Sequence, residues 1–276
     1  MNQKQDFSEA KPDGYENFYR DFETPLMQEI RRQIYGEDIG LHNWGTIQEL
    51  RNDHARLNIS KTSRIADLGC GPCGALTAIL AAARCRGTGV DRSAAALRAG
   101  QARAAGLGVA DLMDVQMADL DEPLPFPSAS FDAIQAVDTV PHLRDRQRFF
   151  LEVARLLRPG GRFLCIDSCI LTGAISNQDL NHRLAWGYTQ IAPMGWNDGL
   201  LEATGFQLVD CEDRSAVACR IAEVKASVYR QYRAELKEKI RSLDFEPYLL
   251  FLETAAKLWR QGVMARMMFY AKKRSL

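Results

Sequence analysis

Arg64-Ile65-Ala66-Asp67-Leu68-Gly69-Cys70-Gly71-Pro72-Cys73-Gly74 reads as a short apolar strand that breaks into glycines beside a carboxylate. Gly69 and Gly71 admit backbone conformations that strain other residues, and without side chains they let the chain pass close to a ligand. A helix is expected from Gly74 through Ala83, so that its unsatisfied first amides face whatever occupies the loop. Glycine-rich turns also join strands to helices in α/β proteins that bind nothing there, so the glycine spacing alone decides little. Asp67 adds more. It lies two residues before the first glycine, where a carboxylate repels phosphate and suits an ammonium group, which points to an amino acid derivative rather than a pyrophosphate. About 20 residues further on, Gly87-Thr88-Gly89-Val90-Asp91 reads as a second strand ending in an acid placed to hydrogen-bond ribose hydroxyls. Met117-Ala118-Asp119-Leu120 then sets an acid and a small residue after a third short strand, suited to an adenine edge.

Working outward, strand and helix signals alternate, which argues for a parallel sheet with helices on both faces. Strands are expected at Arg64 to Leu68, Gly87 to Asp91, Asp114 to Met117, Phe131 to Val137, Arg162 to Asp167, Phe206 to Glu212 and Ala265 to Ala271. Between them, Ala94 to Ala105 reads as a helix stopped by Gly106, Phe149 to Leu157 as a helix stopped by Pro159-Gly160-Gly161, and Gly199 to Thr204 as a helix. Residues 1–60 read as a helical cap or lid with an aromatic set that includes Tyr15, Tyr19 and Trp44, ahead of a main domain at 61–276. The stretch 216–262 is long for a link between two strands and reads as two helices separated near Phe245-Glu246-Pro247. Both additions are expected near the carboxyl ends of the strands, where open α/β sheets bind ligands.

Composition narrows the function classes. The 276 residues are 46% hydrophobic and 25% charged, enough for a sizeable core without a metal or disulfide staple. Lys plus Arg and Asp plus Glu number 35 each, so no global field draws the chain to nucleic acid or an anionic membrane. The amino terminus lacks the apolar stretch of a signal peptide, and a cytoplasmic protein is expected. Seven cysteines form an odd set whose one close pair, Cys70 and Cys73, has no second pair at zinc-ligand spacing, so no metal is expected and the thiols read as free.

Through Asp67-x-Gly69-x-Gly71, Asp91, Asp119 and the turn Leu156-Leu157-Arg158-Pro159-Gly160-Gly161, the chain resembles the class I S-adenosylmethionine-dependent methyltransferases over roughly residues 65–167. Within that family the segment Tyr35 to Trp44 is similar to one ahead of the sheet in sarcosine and sugar methyltransferases. The resemblance implies an α/β, Rossmann-like sheet of seven strands, the last two an antiparallel pair, and S-adenosylmethionine as cofactor. Carried over by position, it puts Gly69 and Gly71 beside the methionine moiety, Asp91 on the ribose and Asp119 with Leu120 on adenine, with Asp67, Cys70, Arg92, Tyr15 and Tyr19 completing the cofactor set. One departure is Cys73, where the family usually has a third glycine.

Methyl transfer from a sulfonium needs mainly a nucleophile held in line behind the methyl, with a base where that nucleophile is a hydroxyl. Ala136 to Leu143 follows the fourth strand, and His142 is the expected general base because its ordinary pKa lies near working pH. Asp138 and Asp167 end the fourth and fifth strands and are expected to orient His142, bind a substrate amine, or satisfy loop amides. Trp44, His182, Trp186 and Tyr188 are the expected acceptor contacts, a mixture suited to a flat or apolar small molecule. Arg144, Arg146 and Arg148 read as a solvated helix start, although a prenyl diphosphate acceptor for C-methylation would need such arginines. The expected function is transfer of a methyl group to an oxygen, nitrogen or carbon of a small molecule, oxygen favoured, with specialised-metabolite biosynthesis as one setting. A nicotinamide-dependent dehydrogenase, a nucleic-acid methyltransferase and a non-catalytic binding protein on the same fold are the rivals, and self-association through the helical insert stays open.

Overall fold

The computed structural model of the protein describes residues 14–185, 187–240 and 243–275. Three helices come first: α1 (Gly14–Arg20), α2 (Pro25–Tyr35) and α3 (Ile47–Leu57). Pro25 suits the first turn of α2, and a capping box starts α3, with Thr46 accepting from the Glu49 amide and Glu49 accepting from the Thr46 amide. Alternation then begins with β1 (Arg64–Leu68), α4 (Gly74–Ala83), β2 (Arg86–Asp91), α5 (Ala94–Gly106), β3 (Met113–Met117) and β4 (Phe131–Val137). It continues through α6 (Arg146–Leu156), β5 (Leu157–Leu171), α7 (Asn177–Arg183), β6 (Ala192–Pro193), α8 (Trp196–Ala203) and β7 (Phe206–Asp213). The insert folds as α9 (Ser215–Gln231), α10 (Arg233–Lys239) and α11 (Phe245–Arg260), and β8 (Met264–Lys273) closes the sheet.

The strands lie in the order β3-β2-β1-β4-β5-β8-β7, with the two-residue β6 paired to the end of β5. All neighbouring pairs are parallel except those of β8, which runs antiparallel to both β5 and β7. The chain leaves β1 toward β2 on one side and returns to β4 on the other, so the crevice at the carboxyl ends of β1 and β4 is the topological switch point. The expected seven strands and the antiparallel closing pair are therefore present, with β6 as an addition.

Two boundaries differ from expectation for local reasons. Leu157 is already paired with Phe131, and pairing resumes at Arg162 opposite Ala133, so Arg158-Pro159-Gly160-Gly161 is a bulge within a long β5 rather than a turn ahead of it. In the insert three helices form where two were expected, and Phe245-Glu246-Pro247, expected near the break, instead starts α11, because proline is tolerated in the first turn of a helix.

Helices α1 and α2 do not stand apart from the insert. Phe18, Phe22, Met27 and Ile30 share one buried cluster with Ala222, Tyr229, Tyr248 and Leu252. Ion pairs hold this layer together and to its neighbours: Arg31 to Asp38 at 2.7 Å within the cap, Glu23 to Arg103 of α5 at 2.7 Å, and Arg214, just ahead of α9, to Asp53 of α3 at 2.7 Å. The cap and the insert together roof the switch point.

Candidate active site

The cavity at the switch point is lined by the β1–α4 loop, the ends of β2, β3 and β4, helix α1, residues 40–44, and side chains from α7, α9 and α11. At its floor Gly69 has φ +74° and Gly71 φ +50°, left-handed backbone that favours glycine. Space is equally tight: a Cβ on Gly69 would meet the Thr139 hydroxyl at 2.3 Å, and one on Gly71 would meet the Tyr19 hydroxyl at 3.1 Å. Gly74 serves packing, since a Cβ there would lie 2.3 Å from the Gly40 carbonyl oxygen.

Cys73 explains its own departure from the family pattern. It holds φ +56° and is fully buried, and its thiol fills space left by two other glycines, a Cβ on Gly100 meeting it at 2.6 Å and one on Gly89 at 3.0 Å. The cysteine packs beneath the loop and does not line the cavity, whereas Cys70 does.

Asp67 lines the cavity and is 3% exposed, and no cation among the described residues pairs with it. Burial, with Asp91 adding repulsion, pushes its pKa up to about 7. Asp91 is fixed by two backbone amides, accepting from Gly71 N at 2.8 Å and from Ser93 N at 2.8 Å. Arg92, Asp119, Leu120, Tyr15 and Tyr19 also line the cavity, so every residue expected around the cofactor is brought to one place. An uncompensated buried carboxyl, two tight left-handed glycines and an oriented second acid fit an ammonium-bearing nucleoside.

His142 ends a short 3₁₀ turn after β4 and is partly exposed at the cavity wall. Its Nδ1 lies 3.0 Å from the Tyr188 carbonyl oxygen, which can only accept, so Nδ1 carries the proton. Nε2 is left with a lone pair that accepts from the Tyr15 hydroxyl at 3.2 Å. Burial in the protein lowers the His142 pKa, with Arg183 and Arg92 reinforcing the shift, so the ring is neutral and able to take a proton at neutral pH.

The remaining expectations divide. Asp138 lines the cavity with φ +54°, but its carboxylate accepts from Arg266 at 3.2 and 3.3 Å and from the Trp44 amide at 3.3 Å rather than orienting His142. Asp167 is not at the cavity. It is fully buried in an ion pair with Arg146, which is itself 2% exposed, and it also accepts from Asn197 at 2.8 Å and from the Cys169 amide at 2.8 Å. Both the catalytic role expected of Asp167 and the solvated position expected of Arg146 are thereby overturned. The reason is helical register: Arg146 shares the apolar face of Phe149, Phe150 and Val153 and so points inward. Arg144 and Arg148 lie outside the cavity, the latter pairing with Glu122 at the surface, so this run offers no diphosphate site.

Trp44 lines the acceptor side, as expected. Helix α7 turns Arg183 inward in place of His182, one residue being a rotation of about 100°. Tyr188 contributes its backbone carbonyl to His142 while its half-exposed ring lies outside the cavity. Trp186 lies outside the described residues. Sequence reasoning missed Lys225, Tyr248 and Phe251, all at the cavity wall. The signal for Lys225 was available: it stands on the apolar face of α9 with Ala218, Ala222 and Tyr229.

Among the described residues no helix is long and apolar enough to cross a membrane, and no cluster of histidine, cysteine or acidic side chains could hold a metal ion. A family model described as a methyltransferase domain matches residues 66–165. The O-methyltransferase resE of Aspergillus sclerotiorum is 31% identical over 180 residues, which cover 62% of this chain and 66% of that protein. The O-methyltransferase rstn1 of Aspergillus nomiae is 30% identical over 161 residues, covering 57% of this chain and 70% of that protein. In fold, the cyclopropane synthase MmaA2 from Mycobacterium tuberculosis matches 96% of this chain and 100% of its own with a TM-score of 0.77 at 17% identity. With the glycine loop, the two acids and the sheet order already in place, these matches leave one assignment: the chain belongs to the class I S-adenosylmethionine-dependent methyltransferases.

Proposed function

We propose that this methyltransferase acts on an oxygen of a small-molecule acceptor, with His142 as the general base. The observation that carries the reading is the tautomer of His142: with Nδ1 committed to the Tyr188 carbonyl, the basic lone pair is on Nε2, where it accepts from the Tyr15 hydroxyl at the cavity wall. When bound, S-adenosylmethionine supplies an activated methyl group. Asp67 takes its ammonium, Gly69 and Gly71 border the methionine portion, Asp91 holds the ribose hydroxyls, and Asp119 with Leu120 edges the adenine. The acceptor hydroxyl lies on the other side, against Trp44, Tyr248 and Phe251, and loses its proton to Nε2 directly or through Tyr15. The roof of α1, α9 and α11 keeps water from the reacting atoms. The two fungal relatives, both named as O-methyltransferases, support oxygen as the atom methylated.

The reading is tested by incubating the enzyme with isotopically labelled S-adenosylmethionine and extracts of small metabolites. Label should appear as the methyl of an ether formed on an acceptor hydroxyl, and His142→Gln should slow its formation by about 10²- to 10⁴-fold while binding of S-adenosylhomocysteine is kept. Unchanged turnover in His142→Gln would remove the base role, and label on nitrogen or carbon would remove the oxygen assignment.

A further inference from the structure

Cations collect on the acceptor side of the cavity, and not all of them are matched by a carboxylate. Arg266 is matched by Asp138 at 3.2 Å and Glu49 at 3.6 Å, and Arg214 by Asp53 at 2.7 Å and Glu212 at 2.9 Å. Arg146 is matched by Asp167. Two further cations line the cavity with no carboxylate bound to them. Lys225 is 3% exposed, and no hydrogen bond or ion pair engages its ammonium among the described residues. Its Nζ lies 4.5 Å from the centroid of the Trp44 ring. Arg183 is also 3% exposed; its guanidinium carbon lies 6.0 Å from the same centroid and 5.0 Å from that of Phe251. One of its terminal nitrogens donates to the Cys169 sulfur at 3.0 Å, while Nε is buried without a partner. Burial raises the Cys169 pKa to about 11, so that sulfur is a neutral thiol and cancels no charge.

A buried cation without a counterion is costly, and the acceptor wall holds two. Aromatic faces recover only part of that cost. An arrangement of this kind is relieved by an anion that enters the cavity beside the two cations. Asp138, the nearest carboxylate to influence Lys225, is already shared between Arg266 and the Trp44 amide.

From this we infer that the acceptor carries a negatively charged oxygen group, a carboxylate or a phosphate ester, bound by Lys225 and Arg183, with an apolar or aromatic body resting against the tilted pair of Trp44 and Phe251, whose ring centroids lie 5.6 Å apart. The inference rests on the acceptor side of the reading above and names the class of molecule that fits it. The same pairing accounts for an otherwise unfavourable feature: burial depresses the Lys225 pKa to about 7, and an anion beside it would restore the ammonium. Arg183 supplies the planar fork for the anion's oxygens, and Lys225 a compact charge.

The test uses the full-length chain saturated with S-adenosylhomocysteine and three fluorinated probes of one size: 4-fluorobenzoate, 4-fluorophenyl phosphate and the neutral 4-fluorobenzamide. Binding is followed by fluorine NMR near neutral pH. At least one anion should bind about ten-fold more tightly than the amide, and Lys225→Met and Arg183→Met should each remove most of that margin. Amide binding and affinity for S-adenosylhomocysteine should not change, and Lys225→Arg should retain the anion. A lead for benzoate identifies a carboxylate acceptor, and a lead for the phosphate identifies a phosphate ester. Equal binding of all three probes overturns the inference, as does anion binding that survives both substitutions. Calorimetry of S-adenosylhomocysteine is recorded separately, and the probe titration is repeated without it, so that failure of the cofactor reading and failure of the anion site are told apart.

Discussion

Asp67 shows how one side chain couples ligand binding to pH. In the folded protein without ligand its carboxyl titrates at about 7, whereas in the unfolded chain it titrates near its ordinary value of about 3.9. Stability conferred by the bound proton is therefore fully present below that ordinary value and is lost as pH rises through about 7. Binding of an ammonium has the opposite sign, because it requires the ionised carboxylate. Affinity for S-adenosylhomocysteine is expected to climb between about pH 6 and pH 8 and then level off, and the thermal stabilisation it gives should grow over the same range. Asp67→Asn should bind weakly at every pH with the slope gone. A flat wild-type profile measured by calorimetry, or an Asp67→Asn variant that binds as well as wild type, would contradict the role given to this carboxylate.

Elements are held by contacts that sequence spacing reveals unevenly. Arg146 illustrates the structural kind: its guanidinium gathers Asp167 of β5, Asn197 of α8 and both the side chain and the carbonyl of Gln190, so one residue of α6 ties three segments beneath the acceptor side. Removing one partner of a buried pair leaves the other charge unmatched, which typically costs about 3–5 kcal/mol. Asp167→Ala is accordingly expected to lower the unfolding free energy measured in urea by that amount while the folded fraction keeps its affinity for S-adenosylhomocysteine and its turnover. A selective loss of turnover at unchanged stability would return Asp167 to the chemistry. The strands and the cofactor loop were legible because they are local: short apolar runs, glycines, and acids at or just beyond the ends of β2, β3 and β4 act within a few residues. His142 was legible for the same reason, lying just beyond β4. The acceptor contacts were not, since which residue of α7 or α9 faces the cavity depends on how α1, α9 and α11 pack, and that packing joins residues about 200 positions apart in the chain, as in the 199-residue separation of Gln33 and Tyr232. Even so, a charged residue on an apolar helix face, as at Arg146 and Lys225, is readable in retrospect as either a buried pair or a site.

At the scale of the whole molecule, one polar contact between the roof and the start of α5 bears on helix α1. The buried carboxylate of Glu16 accepts from the Ser93 hydroxyl at 2.5 Å and from the Ala95 amide at 3.2 Å, both at the amino-terminal end of the thirteen-residue helix α5. A carboxylate there satisfies orphan amides and meets the positive end of the helix dipole, worth about 1–2 kcal/mol in a partly buried setting. The flanking residues Tyr15 and Tyr19 are thereby held at the cavity, one on His142 and the other against the Gly71 backbone. Glu16→Ala should release α1 without unfolding the sheet, because β1 to β5 and their helices form separate buried clusters. Amide hydrogen exchange should rise in residues 15–20 and stay unchanged in β1 and β4. If α1 closes over the cofactor, affinity for S-adenosylhomocysteine should fall by about 5- to 30-fold, the equivalent of the lost contact. Glu16→Gln, which keeps an acceptor oxygen for Ser93 and Ala95, should recover much of the difference. Faster exchange in α1 with unaltered affinity would mean that the helix only packs beside the pocket and takes no part in closing it.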